Sequence, residues 1–201
     1  MDLTREEEKL LDGTEGDTVS TAYRILLAVG EATHANKLVP IQWAHISGVN
    51  YNTIGESGRK FLEQFCLDAK VKVNTTINPM GFDREKPSGV SQEFISKQMS
   101  IVNSYKNIGT IESFTCIPYE AYQLPKANTF VSLAETNAAV FANSMLGLMT
   151  NKESALSALA GEITGKAPLS DLRIEELRAP KYRIKSSLDM STELDYGLLG
   201  Y

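Results

Sequence analysis

Apolar, β-favouring runs in this chain stop abruptly in polar turns, and that feature constrains its fold most. Val71 to Ile77 is β-branched and ends in Asn78-Pro79-Met80-Gly81. Phe114 to Ile117 is a shorter run, closed by Pro118. Leu38 to Ala44 makes a third, interrupted early by Pro40, with His45 to Tyr51 as the loop after it. Helix-period segments separate these runs. Strands alternating with helices predict an α/β fold, a layered and mostly parallel sheet flanked by helices. In such a sheet, polar groups converge outside the carboxyl ends of the strands.

The helical segments carry their own signals. Thr4 and Glu7 have capping-box spacing and open a short helix that stops near Gly13. Asp17 or Thr18 is placed to cap a second helix with a broad apolar face from Val19 to Val29. Further helices are expected over Gly55 to Leu67, Gln92 to Tyr105, Ala134 to Leu146 and Lys152 to Ile163. Ile184 to Leu188 reads as a last strand, and Asp171 to Pro180 as a charged surface connection. Asp195 to Tyr201 reads as the middle of an element, which suggests part of a larger unit. No internal repeat or low-complexity segment is present.

Composition narrows the function classes. The chain has 201 residues, 42% of them apolar and 22% charged, as in an ordinary globular domain. A net charge of −5 argues against a nucleic-acid partner, because phosphate binding needs a basic field. No apolar run approaches a membrane span, and Met1 to Lys9 is acidic, without the apolar segment of a secretory signal. Two cysteines do not make a disulfide framework, so a cytoplasmic, reducing setting is expected.

Few side chains offer chemistry. Cys116, at the end of an expected strand, has the chemistry of a thiolate ligand or a nucleophile, although a free cysteine read by itself favours a quiet core residue. Cys66, between Phe65 and Leu67, reads as core. No Cys-x-x-Cys pair exists, so any cluster needs ligands from elsewhere. His45 is either an acid/base and substrate contact or a hydrogen-bonded residue that orders its loop. Glu135, among alanines, is either a charge at a helix start or a site carboxylate. Asn151 and Lys152 have the chemistry to hold a carboxylate, or simply begin a solvated helix. Gly48, Gly55 and Gly58 match no phosphate-loop pattern, although a loop that precedes a helix offers free N–H groups to an anion.

Taken in order, these stretches resemble the aconitase X family, catalytic large-subunit region. The resemblance runs from Leu3 to Glu7 through Gly30, His45-Ile46-Ser47-Gly48-Val49-Asn50-Tyr51, Asn78-Pro79, Gln98, Tyr105, Thr115-Cys116-Ile117-Pro118-Tyr119, Glu135-Thr136-Asn137, Asn143-Ser144, Gly147 and Thr150-Asn151. It covers nearly all of residues 1–201, which read as part of that catalytic region. It implies an aconitase-like fold and an iron–sulfur hydro-lyase, with a 4Fe-4S or 3Fe-4S cluster in the complete enzyme. Cys116 is implied as a cluster ligand. Gly48, Val49, Asn50, Asn78, Pro79, Glu135 and Thr136 are implied as substrate contacts. The archaeal type, which His45 to Val49 and Thr75 to Pro79 resemble, implies 5-phosphomevalonate as substrate and a small swivelling-domain subunit as partner. The bacterial type implies cis-3-hydroxy-L-proline.

The sequence departs from the family pattern in three ways. Asn50 and Thr136 stand where serine is usual. Met149, Lys152 and Ser154 stand for Arg, Arg and Gly, and Lys152 keeps a charge without the bidentate fork of arginine. Members run to roughly twice this length, with the remaining ligands and a catalytic lysine further on. Two expectations follow: an iron–sulfur dehydratase region, inactive as the isolated chain, or a non-catalytic paralogue or binding subunit that keeps the fold without a cluster.

Overall fold

A computed structural model of the chain describes residues 1–78 and 80–200. Its centre is a parallel sheet in which β2 (Trp43–Ile46) lies between β3 (Asn74–Ile77) and β4 (Ser132–Leu133). His45 is level with Thr76 on one side and Leu133 on the other. Parallel bridges from Thr76 to Ile111 and from Leu133 to Lys152 widen the sheet. A separate antiparallel ribbon pairs β1 (Leu38–Pro40) with β5 (Lys166–Pro168). The mostly parallel α/β class is therefore as expected.

Helices cover both faces. Helices α1 (Arg5–Leu11), α2 (Asp17–Ala32), α3 (Tyr51–Phe65) and α4 (Gln92–Ile108) precede the short α5 (Pro118–Ala121). Helices α6 (Thr136–Ser144), α7 (Ala155–Thr164), α8 (Glu175–Arg178) and α9 (Glu193–Gly200) follow. Period-2 alternation in β2 sends Ile46 toward one layer and Trp43 toward the other. Ile46 and Ile77 pack with Leu26, Leu62, Ile101, Leu159 and Ile163 from α2, α3, α4 and α7. Trp43 and Leu133 pack with Ala138, Ala139 and Ala142, whose small side chains let α6 lie close to the sheet. The capping box of α1 forms as the spacing predicts: Thr4 Oγ1 accepts from Glu7 N–H, and Thr4 N–H donates to Glu7 Oε2 at 2.8 Å.

Several local expectations are corrected. Leu38 to Ala44 is two strands, because the chain leaves the ribbon after Pro40 and enters the sheet at Trp43. His45 therefore lies within β2 and not in the loop after it. Phe114 to Ile117 forms no strand: Phe114 N–H and Ser113 Oγ both donate to Ile77 O, and Phe114 takes φ +46°, which breaks the extended path. Ile184 to Leu188 is exposed coil without a strand partner. Helix α2 starts after Gly16 without a side-chain cap, and Thr18 instead donates to Asp68. Helix α3 begins at Tyr51, four residues early, with a break at Gly55 (φ 63°, ψ −169°) that glycine tolerates. The 171–180 segment is more than a surface connection. It buries Arg173, whose Nη2 donates to Glu153 Oε1 at 2.8 Å and to Val131 O at 2.9 Å.

Candidate functional site

Because β2, β3 and β4 run parallel, their carboxyl ends share one edge of the sheet. Asn78 N–H donates to Ile46 O at 2.7 Å, and Ala134 N–H donates to His45 O at 2.9 Å. The chains leaving β3 and β4 thus flank the end of β2. Asn78 Nδ2 donates to Glu135 Oε2 at 2.8 Å. His45 Nε2 lies 3.8 Å from the same oxygen, and His45 Nδ1 lies 2.8 Å from Thr76 Oγ1. Burial pushes the His45 imidazole down to about 4; the Glu135 carboxylate and the Thr76 main chain offset only part of that. The ring is therefore neutral at neutral pH. Glu135 is the N-cap residue of α6, yet its side chain makes no capping bond. Its carboxylate is instead half-buried and held by Asn78.

Residues 48–50 form the loop that leaves β2. Gly48 is exposed at φ +78°, a conformation glycine adopts without strain, and a Cβ there would meet nothing within 4 Å. Val49 is buried at 1% exposure, so only its main chain can face a ligand. Its carbonyl accepts from the buried Gln98 Nε2 at 3.3 Å, while Gln98 Oε1 accepts from Tyr51 N–H at 2.7 Å. Asn50 is committed to capping α3 through Oδ1, which accepts from Asn52 N–H at 2.8 Å. Asparagine and serine are both strong N-caps, so the change from the family serine keeps the helix start. A Cβ on Gly81 would sit 2.6 Å from Asn50 Nδ2, so the turn after β3 lies against this loop. Pro79 lies outside the described residues.

Cys116 is exposed, which removes the core reading. Its carbonyl accepts from Asn137 Nδ2 at 2.8 Å, fixing this loop to the first turn of α6, two residues past Glu135. Thr136 is exposed at the first position of α6. Cys66 is buried, as expected, and burial pushes its thiol up to about 12. The structure thus gathers Gly48, Asn50, Asn78, Glu135, Thr136 and Cys116 near one edge of the sheet, and turns the Val49 side chain away. A cleft of about 400 Å³ lined by Gln42, Trp43, Asn74, Thr76 and Tyr122 contains none of these residues and lies toward the strand starts.

Other motif residues are structural. Asn143 Nδ2 donates to Ala139 O and Thr150 O, both at 2.8 Å. Asn151 Oδ1 accepts from Leu172 N–H at 2.9 Å and its Nδ2 donates to Ser170 Oγ at 3.2 Å, so both ends of the amide are engaged within the fold. Lys152 is exposed beside Leu133, with Nζ donating to Glu153 O at 3.1 Å. Ser154 caps α7 by bonding Ser157 N–H, so the family glycine is replaced by a working cap. Thr76, Gln98 and the Glu153–Arg173 pair escaped functional reading. Their signal is weak in a sequence, because each acts only through a partner at least 20 positions away.

An iron–sulfur cluster needs several cysteine thiolates. Among the described residues, no three His, Cys, Asp or Glu side chains converge to hold a metal ion. One exposed thiol offers one ligand and does not complete a cluster site.

Comparison with known proteins gives the same frame. A family profile, the aconitase X first domain, matches residues 1–176. The phosphomevalonate dehydratase large subunit of Methanocaldococcus jannaschii is 40% identical over 209 residues, covering 100% of this chain and 52% of that protein. The cis-3-hydroxy-L-proline dehydratase of Pseudomonas aeruginosa is 33% identical, covering 97% of this chain and 34% of that one. The crystal structure of the holo-form of aconitase X from Thermococcus kodakaraensis superposes with a TM-score of 0.85 at 38% identity, over 100% of this chain and 50% of that one. The chain spans about half the length of the archaeal relatives it matches. An ordered match across 176 residues, on a fold that superposes over the whole chain, places this protein in the aconitase X family.

Proposed function

We propose that this chain forms part of the catalytic region of a hydro-lyase that dehydrates a small anionic hydroxy acid. The observation that carries the reading is the polar edge at the strand ends: Asn78 bonded to Glu135, with Cys116 tied to the same helix start. The substrate we favour is 5-phosphomevalonate, because the archaeal relatives of that name are 34–40% identical, against 31–33% for the cis-3-hydroxy-L-proline dehydratases.

The chain's own residues bind and orient. Glu135 presents an acceptor to a substrate hydroxyl, Asn78 holds that carboxylate in place, and Gly48 lets the ligand approach the backbone. Lys152, exposed at the same edge, is a counter-charge for an anionic group. Cys116 would supply one thiolate to an iron–sulfur cluster whose other ligands come from outside these 201 residues; such a cluster supplies a Lewis-acidic iron when bound. The partner is a small swivelling-domain subunit, in keeping with the large-subunit names of the relatives. Among the described residues no helix is long and apolar enough to cross a membrane, and two free cysteines fit a cytoplasmic setting.

A second reading is a family member that keeps the fold without a cluster; the replacement of the family arginines by Met149 and Lys152 favours it. One experiment separates the two. The anaerobically reconstituted complete assembly is assayed for loss of water from 5-phosphomevalonate, with iron measured in the wild type and in Cys116→Ser. Turnover that disappears together with iron in the variant is the expected result. Absence of both from the wild type would leave the paralogue.

A further inference from the structure

His45 is fully buried, and among the described residues its Nε2 has no hydrogen-bond partner. An unpaired polar atom in the interior is costly, so its direction is informative. It faces Glu135 Oε2 at 3.8 Å, beyond hydrogen-bond distance. The other ring nitrogen decides the tautomer. Thr76 Oγ1, buried at 1%, has Nδ1 as its one side-chain partner at 2.8 Å. If Nδ1 carried the proton, the threonine O–H would lack an acceptor and the Nε2 lone pair would face a carboxylate. With the proton on Nε2, Thr76 donates to Nδ1 and an N–H faces the negative oxygen.

Glu135 Oε2 is then addressed from two strands, by Asn78 Nδ2 from the end of β3 and by His45 Nε2–H from within β2. Oε1 has no partner among the described residues. We propose that His45 is a positioning residue for Glu135: its Nε2–H tautomer faces Oε2 and restrains it, leaving Oε1 as the oxygen that accepts from a substrate hydroxyl. Hydrogen bonds of this kind are commonly long in a free enzyme and tighten in the complex. The part played by Oε1 rests on the function proposed above; the state of His45 does not.

Two measurements test it. The chain has two histidines, and His34 is exposed, so His34→Gln leaves one imidazole to observe. A long-range proton–nitrogen correlation spectrum of this 15N-labelled variant should show a neutral ring at pH 7, with Nε2 protonated and Nδ1 bare. A proton on Nδ1, or an imidazolium, would overturn the assignment without any assay of activity. The second measurement is kinetic, in the complete assembly. A glutamine amide at position 45 falls near the Nε2 position, and an asparagine amide near Nδ1. His45→Gln should retain at least tenfold more kcat than His45→Asn, with KM changed less than threefold. Equal losses, or the reverse order, would make His45 a purely structural partner of Thr76. A wild type that dehydrates nothing would sink the dehydratase reading and leave the tautomer, decided by the spectrum, standing.

Discussion

Asn78 and Glu135, 57 positions apart in the chain, share a hydrogen bond of 2.8 Å that joins the ends of β3 and β4 across β2. Neither residue belongs to the hydrophobic core, and neither caps a helix through its side chain. Their pairing is what the topology of a parallel sheet makes available and local sequence does not specify. The amide restrains a carboxylate at the carboxyl edge of the sheet, so its removal should be felt by a ligand there more than by the fold. Asn78→Ala is expected to weaken binding of 5-phosphomevalonate to the complete assembly by about 1–3 kcal/mol, the range for losing a buried contact to a charged group. Calorimetric titration checks this, and unchanged affinity would make the turn purely structural.

The two cysteines differ in a way that needs no cluster to observe. Cys116 is exposed, whereas Cys66 is 3% exposed with its thiol pushed up to about 12 by burial. The thiolate is the reactive form, so a disulfide reagent at pH 8 should modify one thiol per folded chain rapidly and two in denaturant. Cys116→Ser should abolish the fast phase and Cys66→Ser should leave it intact. Two fast thiols in the folded wild type would contradict the buried position of Cys66.

The class of fold was legible because it rests on alternation: Val71 to Ile77, ended by Asn78, reads as a strand feeding a polar turn from residue types alone. The failures have a common cause. β4 is two residues long and β5 three, too short for any period, and both exist only because β2 and β1 offer them hydrogen bonds. The run from Phe114 to Ile117 has strand composition, but Ile77 captures its amide and a positive φ turns it away. At the site, Asn78, Glu135 and Cys116 stood out through their motifs. Their mutual geometry did not, nor did Thr76, whose hydroxyl matters only because β2 and β3 are in register. The resemblance to aconitase X added what spacing alone could not: a reason to consider Gly48 and Cys116 together.

Glu153 and Arg173 make a prediction about how the site is held. Both are buried, at 5% and 1% exposure, and bonded at 2.8 Å. Glu153 N–H also donates to Leu133 O at 2.9 Å, so the pair sits directly behind the end of β4 that presents Glu135. Removing one partner strands the other charge in the interior. Glu153→Gln is expected to cost about 3–5 kcal/mol by urea denaturation, and Glu153→Gln with Arg173→Met to recover much of it. Additive losses in the double variant would mean that the two side chains are not coupled.

Two buried titratable groups act in opposite senses on stability. For His45 the folded value is about 4, below the 6.5 of the free side chain. The folded state therefore takes up its proton later than the unfolded chain, and stability falls as pH drops below 6.5, levelling below about 4. The full loss amounts to about 3 kcal/mol. Glu162 behaves oppositely. It is fully buried, neither carboxyl oxygen has a hydrogen-bond partner among the described residues, and burial raises it well above the ordinary 4.5. Its neutral form suits the folded state, so its contribution is complete below pH 4.5 and is lost as pH rises toward the folded value. Glu162→Gln cannot ionise and escapes that loss. Its melting temperature relative to wild type should therefore climb from pH 5 to pH 9, with the wild type gaining nothing in return at the alkaline end. A difference that stays flat over this range would show that Glu162 does not titrate differently in the folded and unfolded chains, and would remove it as a source of alkaline instability.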